Sequence, residues 1–181
     1  MKIFRISGSI RKESFNTKLL RAASLHLPED VSLEVMTLED VPLYNKDIDT
    51  KTKSEPVQQL LDGIGNCDGL LIASPEYNYS IPGVLKNAID WASRPAYQSV
   101  LAGKPTAIIS GAGSPIGGAR AQLHLRDVFS STLTPVVPSP PFLVPTVQDK
   151  FDKDGTLVDK STIRGLTRYL EDFVKWIKRL S

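Results

Sequence analysis

Apolar residues fall along this chain in two alternating rhythms. Short strand-like runs come at KIFRIS (2–7), VSLEVMTL (31–38), DGLLIAS (68–74), KPTAIIS (104–110) and TPVVPS (134–139). Between and after them the apolar positions recur at helical spacing, in FNTKLLRAASLHL (15–27), SEPVQQLLDGIGNC (54–67), PGVLKNAIDWASR (82–94), GGARAQLHLRDVFSST (117–132) and STIRGLTRYLEDFVKWIKRL (161–180). That spacing puts Leu19, Leu20, Ala23 and Leu27 on one side of the first helix, and Val57, Leu60, Leu61 and Ile64 on one side of the second. In the last helix Ile163, Leu166, Leu170, Phe173, Val174 and Ile177 form the apolar stripe. The runs also differ among themselves. Residues 31–38 alternate apolar and polar, as a strand near a sheet edge does, whereas 68–74 are apolar without a break, as in a central parallel strand covered on both faces. The prolines of 134–139 limit how that run can pair.

Strands alternating with helices predict a parallel sheet with helices on both sides. Five strands in 181 residues fit a flavodoxin-like doubly wound sheet of order 2-1-3-4-5, with residues 1–181 forming a single domain. In such a sheet ligands bind beyond the carboxyl ends of the strands, at the switch point between the first and third strands. The topology therefore predicts that the loops at 8–17, 75–81 and 110–118 meet. Residues 138–160, PSPPFLVPTVQDKFDKDGTLVDK, read as a long connection rich in proline and charge, either a mobile lid or an interface element.

Composition narrows the function classes. A net charge of +2 gives no reason to expect nucleic acid or an anionic membrane as partner. The lone Cys67, set between an amphipathic segment and a strand, reads as a small buried thiol and allows no intramolecular disulfide. MKIFRIS reads as a strand and not as a secretory leader, and no window approaches the ~20 apolar residues of a membrane span. A cytoplasmic protein is expected.

The first loop, SGSIRKESFNT (7–17), brings Ser7, Ser9, Ser14, Thr17, Asn16 and Arg11 to the start of a helix. A helix N-terminus presents unpaired N–H groups and partial positive charge, so it favours anions, and an arginine adds a bidentate donor. GxxxxGK[ST] and GxGxxG are both absent, which leaves a terminal monophosphate as the best fit. The alternative is a hydroxyl-rich loop that only caps its helix through Ser14 or Asn16. The second loop, PEYNY (75–79), pairs flat surface at Pro75, Tyr77 and Tyr79 with the amide of Asn78 and turn backbone, which suits the face and polar edge of a heteroaromatic ring. Glu76 has no histidine or second carboxylate beside it in sequence, so it reads as a cap or backbone anchor. His26 and His124 fall in helical segments as surface or packing residues. Zinc spacing and HExxH are absent, and no metal is expected. A cradle with so few catalytic groups suits a cofactor that carries the chemistry itself.

These residues resemble the NADPH-dependent FMN reductases, a family that includes quinone, chromate and azo reductases. The resemblance runs from KIFRISGSIRKESFNTKLLRAA through SPEYNYSIPGVLKNAIDWASRP to SGAGSPIGGARAQLHLRDVF, and the middle block is the most specific. It implies FMN bound without a covalent link, and NADPH or NADH as electron donor. Ser9, Arg11, Ser14, Asn16 and Thr17 match the phosphate loop, and Pro75, Glu76, Tyr77 and Asn78 the isoalloxazine loop, with Tyr79 at the mouth. Ser110 and Gly111 match a third contact segment, and Gly117 and Gly118 would allow close approach of nucleotide or substrate. Arg120 and Arg126 match positions that serve the NADPH phosphates or a subunit contact, or are plain solvated charges. The implied activity is hydride transfer through flavin N5 in alternating half-reactions, to a quinone, an azo compound, a metal oxyanion such as chromate or free flavin, with no catalytic side chain. A homodimer or homotetramer is implied as well. Where many relatives carry a carboxylate after the proline that follows the fifth strand, this chain has Pro140 and Pro141. A flavodoxin-like electron carrier or a flavin-based redox sensor, without NAD(P)H turnover, is the alternative.

Overall fold

A computed structural model describes residues 1–27 and 32–181. The strands are β1 (Lys2–Ser7), β2 (Ser32–Met36), β3 (Gly69–Ala73), β4 (Thr106–Gly111) and β5 (Phe142–Val144). The helices are α1 (Phe15–Ser24), α2 (Glu55–Gly65), α3 (Gly83–Ala92), α4 (Ala119–Ser131) and α5 (Lys160–Leu180). All five strands are parallel and lie in the order β2-β1-β3-β4-β5, the doubly wound flavodoxin-like arrangement expected from the alternation of patterns. Val31, the first residue of the expected second strand, lies outside the described residues.

Two cores sandwich the sheet. On one face Ile3, Leu71, Ala107 and Ile109 pack against Leu19, Leu20 and Ala23 of α1 and Leu166, Leu170, Phe173 and Ile177 of α5. On the other, Phe4, Ile6, Leu70, Ile72 and Ile108 meet Val57, Leu60 and Ile64 of α2, Leu85 and Trp91 of α3, and Leu125 and Phe129 of α4. The period of two in each strand assigns its residues to alternate faces, so β3 and β4 must be apolar throughout. Cys67 is buried, with its thiol donating to the Ile64 carbonyl.

The fifth strand departs from expectation. Residues 134–139 do not form it; they make a single parallel bridge, Val136 with Thr106, in which Thr106 N–H donates to the Pro135 carbonyl and Val137 N–H to the Thr106 carbonyl. Pro138, Pro140 and Pro141 then remove the N–H groups a ladder requires. The chain steps away and returns as β5, which pairs with Ile109–Gly111. The edge of β4 is thus covered in two pieces, with a gap at Ile108. Tyr169 of α5 fills it: its hydroxyl accepts from Ile108 N–H at 3.1 Å and donates to the Ile108 carbonyl at 2.8 Å. One phenol stands in for the missing strand residue. Burial pushes this hydroxyl's pKa up to about 12, so the proton it donates stays in place.

Past β5 the stretch read as a long connection folds onto the molecule. It holds a 3₁₀ turn at Val147–Lys150 and a small hairpin closed by a Phe151–Leu157 bridge, with Val144, Val147 and Leu157 buried. Asp159 caps α5 by accepting from Thr162 N–H at 2.8 Å.

Tyr169→Phe removes both partners of the Ile108 peptide groups. It is expected to lower the unfolding free energy by about 1–3 kcal/mol, read as a fall in the urea midpoint at constant slope. An unchanged midpoint would show that the gap closes without the phenol.

Candidate functional site

The strand ends of β1, β3 and β4 are tied to one another by hydrogen bonds, and this brings the three loops singled out in the sequence into one place. Gly8 N–H, just past β1, donates to the Ala73 carbonyl at 2.8 Å, and Ser74 N–H donates to the Ile109 carbonyl at 3.0 Å. A longer-range tie comes from Asn16. It is buried, its side-chain N–H donates to the Gly111 carbonyl at 2.9 Å, and its side-chain oxygen accepts from Gly111 N–H at 2.9 Å. The amide of Asn16 thus mimics a strand partner for the last residue of β4 and holds the start of α1 against it.

The first loop folds around its own hydroxyls. Ser14 is the N-cap of α1, accepting from Thr17 N–H at 3.3 Å. Ser7 and Thr17 share a hydrogen bond at 2.7 Å, and Ser9 accepts from Arg11 N–H at 3.3 Å. Ser9, Ser14, Asn16 and Thr17 are buried, whereas Arg11 is exposed. Around this loop the N–H groups of Ile10, Lys12 and Glu13 donate to no other described residue, and those of Phe15 and Asn16, in the first helical turn, have no intrahelical acceptor. Five backbone donors and the start of a helix dipole thus fall within residues 10–16, with the exposed Arg11 among them.

The second loop is a two-residue turn. Tyr77 and Ser80 exchange N–H···O bonds of 2.9 Å in both directions, and the residues between them, Asn78 and Tyr79, have φ of 50° and 65°. Positive φ at both positions is the signature of a type I′ turn, which normally selects Asn-Gly. Tyr77, Asn78 and Tyr79 are exposed, and Pro75 half-buried. Glu76 turns inward to α4: its Oε2 accepts from Arg120 N–H at 3.0 Å and Ala121 N–H at 3.4 Å, and its Oε1 lies 3.5 Å from an Arg120 guanidinium nitrogen. It caps a helix, as its lack of an acid–base partner in sequence suggested. The same guanidinium stacks over the Tyr79 ring at 4.0 Å, and Ser80 hydroxyl meets His124 Nδ1 at 3.0 Å.

The third loop comes from β4. Ser110 is fully buried and donates to the Gly117 carbonyl at 2.8 Å, while Gln122 donates to Ser110 Oγ at 3.0 Å and to the Phe142 carbonyl at 2.9 Å. Gly117 and Gly118 have φ of 66° and 90°, and a Cβ on Gly118 would stand 2.8 Å from Ser110 Cβ. Only glycine lets the loop double back that tightly. Neither Gln122 nor the stacking of Arg120 on Tyr79 was foreseen; each depends on how α4 lies across the strand ends. Concavities lie elsewhere, one of about 720 Å³ beside Tyr44, Lys53 and Arg94 and one of about 460 Å³ beside Phe4, Met36 and Gln59. The unpaired donors and exposed aromatic rings belong to the open ledge at the strand ends.

No helix among the described residues is long and apolar enough to cross a membrane. The family model for NADPH-dependent FMN reductases matches residues 1–149. Over 178 residues the chain is 38% identical to a 2-hydroxy-1,4-benzoquinone reductase of a Burkholderia species, covering 98% of this chain and 97% of that protein. It is also 38% identical over 180 residues to an NAD(P)H-dependent FMN reductase of Pseudomonas aeruginosa, covering 99% and 97%. Among solved structures it resembles FerB, a flavoenzyme NAD(P)H:(acceptor) oxidoreductase of Paracoccus denitrificans, with a TM-score of 0.86 and 33% identity over 98% of this chain and 97% of that one.

Asn16→Ala opens the joint between α1 and β4 and is expected to cost about 1–3 kcal/mol of stability. Asn16→Asp keeps the acceptor for Gly111 N–H but sets a carboxylate oxygen against the Gly111 carbonyl, so it should cost no less. Urea unfolding of the two variants checks this, and an Asp variant as stable as the parent would remove the Gly111 carbonyl bond from the account.

Proposed function

The chain belongs to the NADPH-dependent FMN reductase family, and from that membership we propose that it is an FMN-dependent NAD(P)H oxidoreductase with a quinone as acceptor. The observation that carries the reading is the cluster of unpaired N–H groups at Ile10, Lys12, Glu13, Phe15 and Asn16, set next to a turn that exposes two tyrosines. The donor set fits FMN: a dianionic phosphate needs several convergent donors, and a flat ring needs an open face with backbone groups at its edge.

In this reading Arg11, the Ser9 hydroxyl and the loop N–H groups hold the phosphate. Ser14 and Thr17 keep the loop in shape through the cap and the Ser7 bond, and Asn16 contributes its backbone N–H while its side chain clamps Gly111. The backbone of Pro75–Tyr79, the Tyr77 and Tyr79 rings and the Ser110–Gly111 segment would hold the flavin ring. FMN, when bound, supplies reversible hydride acceptance. The chain orients donor and acceptor in turn against one face and aims fixed N–H dipoles at developing negative charge, so no side chain need move a proton. The Burkholderia relative and several relatives named quinone reductase support a quinone acceptor; azo compounds, oxyanions such as chromate and free flavin are further candidates for the same open ledge. We read residues 1–181 as one cytoplasmic domain that assembles as a homodimer or homotetramer, with the exposed Ile116 and Leu123 near the ledge as apolar contacts.

Purified protein mixed with FMN should show bound-flavin absorption bands that bleach under anaerobic NADPH or NADH and return when a quinone is added. Flavin that binds yet stays oxidised with both nucleotides would replace the reductase by an electron carrier or sensor. Arg11→Ala is expected to weaken FMN binding by about tenfold or more, as loss of a charged hydrogen bond does, without lowering the urea midpoint of the apoprotein. Equal affinity in that variant would move the phosphate elsewhere.

A further inference from the structure

We propose that Arg120 selects the acceptor by charge, making the site favour anionic ring acceptors, such as sulfonated or ionised hydroxyquinones, over neutral ones of the same shape. The inference rests on the reading above and concerns the same ledge.

Its basis is the arrangement of charge around Glu76. That carboxylate, 11% exposed, is engaged from below by the N-terminus of α4 through two N–H groups. The helix end carries about half a positive charge, so the carboxylate is already partly neutralised before the guanidinium reaches it. The Arg120 side chain lies above, 42% exposed, with its nearest nitrogen at a loose 3.5 Å from Glu76 Oε1. What the solvent and an incoming molecule meet is therefore the cation, with its counterion beneath it. The guanidinium carbon lies 4.0 Å from the centre of the Tyr79 ring, a cation–π contact that holds it at the tip of the turn proposed to border the ring site. His124, one turn further along α4, is held to Ser80 at 3.0 Å. An arginine held against an aromatic ring and tethered at one nitrogen keeps other N–H groups for an oxyanion and loses little freedom in using them. Arg11 and Lys12, the cations of the neighbouring loop, are exposed and belong in the proposed function to the phosphate end of the ledge.

The test compares one ring with and without charge. Steady-state kcat/KM of the FMN-loaded enzyme is measured for 1,4-naphthoquinone and for 1,4-naphthoquinone-2-sulfonate, in the parent protein, Arg120→Gln and Arg120→Lys. The Gln variant is expected to lose about tenfold on the sulfonate alone, the worth of one charge-assisted hydrogen bond, and the Lys variant to keep most of the preference. Raising the salt concentration should erode the parent's preference and leave the Gln variant flat. Equal losses on both quinones would make Arg120 a brace for the Tyr79 turn, and no loss on either would place the acceptor away from it; both overturn the proposal. Binding of naphthalene-2-sulfonate to the oxidised holoenzyme, followed by the flavin absorption bands, gives a readout without turnover. If the parent protein reduced neither quinone the reductase reading would fail, and this binding comparison alone would still decide the role of Arg120.

Discussion

One side-chain amide holds this site together. Asn16 and Gly111 are separated by 95 positions in the chain, yet the two form a reciprocal pair of 2.9 Å hydrogen bonds at the point where β1's loop and β4's end must meet. The geometry is that of a β-ladder closed by a side chain. Because α1 begins two residues after a loop full of unpaired N–H groups, the position of Asn16 sets where those donors point. Remove the pair, and the loop would still be capped by Ser14, but its donors would have no fixed relation to the ledge formed by β3 and β4. In the proposed function that relation matters, because the two ends of a flat, phosphorylated cofactor would be read by different loops.

The same device appears at the sheet's open edge. Four prolines between 135 and 141 make a continuous fifth strand impossible, and the polar groups of Ile108 fall in the gap. Tyr169 supplies an acceptor and a donor from a single oxygen, with its ring buried against Phe142 at 5.8 Å between centroids. In both cases a side chain able to donate and accept at once completes a ladder where backbone cannot. Burial raises the cost of leaving such groups unpaired, which is why the substitutes are this specific.

These two substitutions also mark the limit of what the sequence disclosed. Periodicity was enough for the alternation of strands and helices and for the two-sided core, and the doubly wound topology that this alternation fits supplied the sheet order and the meeting of three loops. The run 134–139 reads as a short fifth strand whose prolines limit its pairing. What decided the matter was the N–H count of the whole segment and a tyrosine 61 positions from its partner. Asn16 was picked out as a polar residue beside a helix start, and its residue type says nothing of Gly111. Gln122 offered no signal at all, being one polar residue among several on α4. Local rhythm carries local structure; reciprocal hydrogen bonds between distant segments leave no trace in it.

The turn at Asn78–Tyr79 argues in the opposite direction, from strain to purpose. A left-handed backbone costs an L-residue about 1–2 kcal/mol relative to glycine, and the preferred partner for Asn in this turn is glycine. Here a tyrosine accepts φ of 65° while leaving 66% of its surface exposed, so burial does not offset the cost. The stacked guanidinium of Arg120 returns part of it, about 0.5–1 kcal/mol for an exposed cation–π pair. What remains is a tyrosine retained at a disfavoured backbone position in the turn that Glu76 ties to α4, with Arg120 of that helix over its ring. Strain of this kind persists where surrounding structure enforces it and a side chain is needed at that spot. The folding problem alone would have been solved better by glycine, which is the ground on which the proposed function gives this ring a place beside the ligand.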